Sequence, residues 1–343
     1  MFQILSCGSN GSCQLGIGEE NDIDQNSLVP ALFEGETSGQ IAYKPKKIVC
    51  GGNHTMILFE NGDLYSSGDN TYGQCGYTEQ IKSGIFQKVP GQWLDAACGW
   101  EYSILINSNN QVFVCGKGLK GELGLGTSVT ETHLTELFAV SGKHIIKVKS
   151  CMNHTILQCN DELWGWGSCR KGQLGTVGNV KVLYTPTKLQ FEGLENCEIV
   201  DFCLGREFTI IQTKNKLLKF GKLILDSLPE VPGSEVGTMW SSIHLFKDRT
   251  INSFGNNSHG QLFPSDDSVP AERMSLGSEH GLILANNVVY TWGWGEHGNC
   301  GVQTKRPADD VTFDYLNVLY SGSHKVVLVG TGCATSWVVI EID

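Results

Sequence analysis

Two stretches of this sequence carry a pattern that could hold a nucleotide. GWGEHG (Gly293 to Gly298) follows the apolar run VVYTW, GKGLKG (Gly116 to Gly121) follows VFVC, and both satisfy G-x-G-x-x-G. In a dinucleotide fold that motif opens a helix whose N-terminus takes the pyrophosphate, with an acidic residue about 20 positions further on. Here β-type sequence follows instead. The extra glycines, Gly118 and Gly295, fall in a slot that sister stretches fill with Asn70, Cys169 and Asn257, so no cofactor is expected. His297 and Cys300 have the spacing of a metal-ligand pair, but a closed zinc site needs four ligands. The slot of His297 also holds Ser12, Tyr72, Lys120, Lys171 and His259, which reads as a loop tip. The slot of Cys300 holds Leu15, Leu123, Leu174, Leu262 and Cys75. That reads as core, where a free Cys behaves as a small hydrophobe; Cys7 and Cys115 also replace apolar residues. No intrinsic metal is expected. G-x-S-x-G, H-E-x-x-H and G-x4-G-K-[ST] are all absent, so no catalytic residues are assigned and the protein is expected not to be an enzyme.

The elements that position these residues repeat. GSNGSCQLG (from Gly8), GDNTYGQCG (Gly68), GKGLKGELG (Gly116), GSCRKGQLG (Gly167), GNNSHGQLF (Gly255) and GWGEHGNCG (Gly293) share one closing motif, and a worn copy starts at Gly221. Upstream of each lies an opening motif, G-x-x-[H/aromatic]-[S/T] followed by alternating apolar residues, keyed on Gly51, Gly99, Cys151, Gly205, Gly237, Gly277 and Gly332. Between the two come hairpin signals such as ILFENGDLYSSG, where Asn-Gly favours a tight turn with positive φ. Seven units in 343 residues give a period of about 49, in the range of propeller blades. The chain starts on a closing motif and ends on an opening one, so one blade is shared by the two termini. The expectation is a single all-β domain over residues 1–343, a seven-bladed propeller closed by N- and C-terminal strands. The Trp-Asp dipeptide of another propeller class is absent, and a paired glycine occurs at Gly51-Gly52 without recurring.

The totals agree. Charged residues are 18%, Gly numbers 42 against 9 Pro, and the net charge is -11, which argues against direct nucleic-acid binding and for protein partners. The 13 Cys are odd in number, scattered and without C-x-x-C, as in a reduced compartment. The start lacks a signal-peptide pattern and no run is long enough to span a membrane, so a cytoplasmic or nuclear location is expected, with the sequons at Asn10, Asn53, Asn153 and Asn256 unused. Residues 19–27 read as a polar loop.

Function should then lie on the opening loops. Two residues after each opening residue stand Asn53, Glu101, Asn153, Glu207, Met239, Glu279 and Ala334, and in a propeller these would ring one mouth of the central channel. His54, His154 and His280 share the next slot with Tyr102, Phe208 and Trp240, a half-buried packing position. The candidate partner-binding set is Trp100, Glu101, Arg206, Glu207, Met239, Trp240, Glu279 and His280, with Glu296 and His297 from a closing turn. Met239 reads as an exposed anchor and Trp240 as equally suited to burial, while Trp292 and Trp294 should pack between blades.

G-x-x-H-[ST], a hairpin, then W-G-x4-G-Q-L-G resembles the regulator-of-chromosome-condensation repeat, a seven-bladed β-propeller family. The match runs over essentially the whole chain and weakens between residues 205 and 237. MWSSIHLF, SFGNNSHGQLFP, GSEHG, YTWGWGEHGNCG and GCATSWVV are similar to a fungal branch of that family, the α-tubulin-suppressor or killer-toxin-insensitivity adaptors. That resemblance implies a heterodimer with a small zinc-binding protein of diphthamide synthesis and an indirect link to Elongator-dependent tRNA wobble-uridine modification. Family members that exchange nucleotide on Ran-like small GTPases use acidic and His residues on the same face; Met239 and Ala334 depart from that pattern.

Overall fold

The computed structural model describes every residue except 19–22, 37–38, 79–81, 176–177, 179, 196, 226–227, 229–232, 265–268 and 343. Seven antiparallel sheets follow one another along the chain. Their innermost strands are Pro45–Cys50, Trp93–Cys98, Ile145–Cys151, Ile199–Leu204, Glu235–Thr238, Arg273–Leu276 and Lys325–Thr331. Each touches the next and the last touches the first, so they line a closed channel. Numbering blades in that order, the seventh is built from both ends of the chain, with Phe2–Gly8 and Gln25–Pro30 outside Thr335–Glu341. The terminal strands pair without a break from Phe2 opposite Glu341 to Gly8 opposite Thr335. A sheet closed this way exposes no raw edge at either terminus.

Each blade contributes the same hairpin, and its closing glycine is fixed by sterics. Gly8, Gly68, Gly116, Gly167, Gly221, Gly255 and Gly293 all have φ between +90 and +126°. A Cβ at any of them would sit 2.2–2.6 Å from a backbone carbonyl oxygen of the adjacent opening loop. Only glycine meets both conditions.

The turn after that glycine satisfies its own backbone. The side-chain carbonyl oxygens of Gln14, Gln74, Gln173 and Gln261 accept from the N–H two residues earlier at 2.8–2.9 Å. Asn10, Asn70 and Asn257 accept from the N–H of Leu15, Cys75 and Leu262 at 2.9–3.0 Å. In GWGEHG the Gly298 N–H donates to the Gly295 carbonyl, and just beyond it the Gly301 N–H donates to the Gly298 carbonyl. A phosphate loop must offer such donors free at a helix N-terminus; here they are occupied and a strand follows. Cys7, Cys75, Cys115 and Cys300 are fully buried, and all 13 cysteines are free thiols.

Two blades depart from the repeat. Among the described residues the fourth (Ile199–Leu204, Phe208–Thr213, Leu217–Gly221) and the fifth (Glu235–Thr238, Ser242–Lys247, Thr250–Gly255) show three strands, where the others show a fourth. After Gly221 the chain runs through Lys222–Leu225 with no closing turn. Of the polar stretch 19–27, residues 19–22 lie outside the described residues, and its end belongs to the strand Gln25–Pro30.

Candidate partner-binding face

The opening loops are four-residue turns at one mouth of the channel. In each, the N–H of the first residue bonds the carbonyl of the fourth, as Gly51 to His54 and Gly99 to Tyr102, both at 2.8–2.9 Å. In the fifth blade that bond joins Met239 N–H to Ser242 at 3.0 Å, and Ser242 pairs with Gly255 as His54 pairs with Gly68. The first position is therefore Met239, not Gly237, and the register expected from the sequence is two residues off. Met239 is 1% exposed and packs with Trp292 and Ile283 rather than standing out as an anchor. The cause is the fourth residue. A Cβ at Gly99 would come within 1.8 Å of the Tyr102 ring, at Gly205 within 2.0 Å of Phe208 and at Gly51 within 2.1 Å of His54. Where the fourth residue shrinks to Ser242, the room over the first position admits a methionine.

The shift places Trp240 at the second position, beside Gly52, Trp100, Met152, Arg206, Ser278 and Cys333. Trp100 and Trp240, from the second and fifth blades, meet over the mouth with ring centroids 6.0 Å apart and planes at 51°. Both are half-buried. The Arg206 guanidinium lies 5.9 Å from the Trp240 ring. The backbone below is stitched from blade to blade: Gly52 N–H to Trp100 O, Trp100 N–H to Met152 O, Arg206 N–H to Trp240 O, Trp240 N–H to Ser278 O and Ser278 N–H to Gly332 O, all at 2.8–3.1 Å. The indoles thus stand on a rigid ring, closing a cavity of about 150 Å³ that Cys50, Cys98, Cys151 and Cys333 also line. Burial pushes the Cys151 thiol up to about 12 and Cys333 up to about 11, so these are poor nucleophiles.

Outside the indoles lies the third position: Asn53, Glu101, Asn153, Glu207, Ser241, Glu279 and Ala334. Glu101, Glu207 and Glu279 are half-buried and Arg206 is exposed. Partial burial raises the Glu279 carboxyl above its ordinary value, against hydrogen bonds that favour its ionised form, one from Ser241 Oγ at 2.8 Å.

Three further candidates complete the set. His280 is buried at 1% exposure, its Nε2 within 3.0 Å of Ser336 Oγ, and burial lowers its pKa to about 4; it packs blades and offers nothing to a partner. Glu296 is exposed, and His297 is tied to Asp24, Nδ1 to Oδ2 at 2.7 Å. Trp292 Nε1–H donates to Gln261 O of the preceding blade at 3.0 Å, and Trp294 stacks on His259 at 4.4 Å, the interblade packing read from the sequence. Among the described residues no three His, Cys, Asp or Glu side chains converge as metal ligands. No helix is long and apolar enough to cross a membrane.

The regulator of chromosome condensation (RCC1) repeat profile matches residues 3–58 and 160–212, and a second profile of the same repeat matches 46–74. An RCC1 repeat-containing protein of Schizosaccharomyces pombe is 30% identical, covering 98% of this chain and 99% of the relative. The secretion-regulating guanine nucleotide exchange factor of Bos taurus is 24% identical over 88% of this chain and 76% of its own. Among solved structures, human WBSCR16 superposes with a TM-score of 0.61 at 20% identity, covering 98% of this chain and 81% of that one.

Proposed function

Because the chain belongs to the RCC1-repeat family, we propose that it is a non-enzymatic, protein-binding adaptor that receives its partner on the channel mouth capped by Trp100 and Trp240. The observation that carries this reading is the indole pair itself. Two half-buried tryptophans meet on a hydrogen-bonded ring, rimmed by Glu101, Glu207, Glu279 and Arg206. Aromatic and arginine anchors on a rigid base, inside a polar rim, are how interfaces concentrate affinity.

The partner in this reading is a small zinc-binding protein of diphthamide synthesis, and the heterodimer supports Elongator-dependent tRNA wobble-uridine modification as well as diphthamide formation, in the cytoplasm and nucleus. What supports it is the likeness of several segments to the fungal α-tubulin-suppressor branch. Three of them, MWSSIHLF, GSEHG and GCATSWVV, supply residues to the same channel mouth: Met239 and Trp240, Gly277 and Ser278, and Gly332 and Cys333. Zinc would belong to the partner. Affinity purification with mass spectrometry tests this: a stoichiometric small zinc protein is expected, and its absence from the purified assembly overturns the partner assignment.

A second reading, nucleotide exchange on a Ran-like small GTPase, is favoured by the exchange-factor name of one relative. Accelerated nucleotide release from such a GTPase by the purified chain would overturn the adaptor reading.

A further inference from the structure

Six closing turns latch onto the next blade. The turn carbonyls of Gln74, Gln173 and Asn299 accept from Ser103 Oγ, Thr209 Oγ1 and Ser336 Oγ at 2.7–2.8 Å. Those of Glu122 and Gln261 accept from the indole N–H of Trp166 and Trp292 at 2.8–3.0 Å, and Cys13 O from Ser67 Oγ at 2.9 Å. Among the described residues no seventh latch is found. After Gly221 the described residues Lys222–Leu225 form no such turn. On the fifth blade the residue equivalent to Ser103 and Thr209 is Ile243, fully buried and without a hydroxyl. The nearby His244 is satisfied within its own blade by Ser242 and Ser253 at 3.0 and 2.8 Å.

A groove of about 480 Å³ lies between the fourth and fifth blades. Leu223 and Ile224 line it, and Trp240 forms its inner wall, so it continues directly from the indole pair. Ile224 is 87% exposed. Arg206 and Lys222 stand at the groove against one carboxylate, Glu207, and neither cation is ion-paired among the described residues. Arg206 also lies over the Trp240 ring and near Glu279; among the described residues the groove still gathers two cations in a chain of net charge -11.

We propose that this groove receives a loop of the protein partner, acidic in character and carrying an aliphatic anchor, as the sister blades receive a closing turn. The anchor follows from the sister turns, where Leu15, Leu123 and Leu174 are inserted at 0–1% exposure. The acidic flanks follow from Arg206 and Lys222, which would pair with carboxylates as the loop is desolvated. The inference rests on the adaptor reading and adds a second contact beside the indoles.

The test uses the full chain and the small zinc-binding protein of diphthamide synthesis in calorimetric titrations. Ile224→Asp and Lys222→Glu are each expected to weaken binding at least about tenfold, with unchanged urea midpoints because both residues are exposed. Leu119→Asp, also exposed (66%) but on the second blade, should bind as the parent does. Parent-level affinity in both groove variants overturns the groove and leaves the adaptor reading intact. If the parent does not bind the zinc protein, the adaptor's partner assignment falls and the groove is judged on a fluorescein-labelled acidic peptide with two central leucines. Peptide binding that is lost in Ile224→Asp supports the groove, and no binding overturns it. Self-association of the parent that Ile224→Asp abolishes would make a second copy the occupant and overturn the proposal as well.

Discussion

Mild acid should remove much of the propeller's stability, and four histidines set the size of the effect. Burial holds the pKa of His54, His154 and His280 at about 4 and of His244 at about 3, against 6.5 when exposed. As pH falls through 6.5 the unfolded chain protonates these rings, while the folded chain keeps them neutral until about pH 4. The unfolded state therefore binds more protons across that window, and stability falls with pH there. Near pH 5.5 the difference approaches one proton per ring, so four rings give a slope of roughly 5 kcal/mol per pH unit. Ordinary carboxylates titrate near pH 4 and add little above pH 5. With a typical domain stability of about 5–15 kcal/mol, unfolding is expected between pH 6 and 4.5. Urea midpoints at pH 7.5, 6.5 and 5.5 and constant ionic strength measure it. His280→Asn, which keeps a donor toward Ser336, should lessen the slope by roughly 1.4 kcal/mol per unit. A midpoint that stays level from pH 7.5 to 5.5 would refute the assignment of these rings as buried and neutral.

Three other expectations follow from the repeat. Gly116→Ala combines φ +106° with a Cβ 2.3 Å from Glu101 O and should cost at least about 3 kcal/mol in urea unfolding. Gly142→Ala, with φ +79° but open space around it, should cost only about 1 kcal/mol. At the inner strands Lys147 and Lys149 of the third blade hold Asp201 of the fourth at 2.9 and 3.1 Å. Burial pushes the Asp201 carboxyl up, and the two lysines outweigh that and hold it below its ordinary value. Asp201→Ala should lose about 2–3 kcal/mol, with part regained when Lys149→Met removes the stranded charge; equal stability of single and double variants would show that the charge was not stranded.

The blade count, the shared terminal blade and the core cysteines were legible in the sequence because each rests on a local necessity that repeats. The closing glycine is required by positive φ and a nearby carbonyl, so it marks the phase in all seven blades. The opening glycine is a weaker marker. Its conformation suits any residue, and it is called for only by close neighbours, most often the ring three positions on. Where that ring becomes Ser242 the glycine is released, and Gly237 two residues upstream mimics it. The better signal was spacing: thirteen or fourteen residues separate the fourth loop residue from its paired glycine in the first six blades. Counting back from Gly255 selects Ser242 and puts Trp240 beside Trp100 in register. Their meeting across the channel was not legible, because they come from blades three apart and only the closed ring brings them together. The groove was equally hidden, since it opens only where two successive blades meet.

The central claim is that the indole pair anchors a protein partner. Titration of the small zinc-binding protein of diphthamide synthesis into the parent chain and into the Trp100→Ala/Trp240→Ala double variant tests it most directly. The account predicts a one-to-one complex with the parent and a loss of at least about 2 kcal/mol, roughly thirtyfold, in a double variant that stays folded. Equal affinity for parent and variant would contradict it.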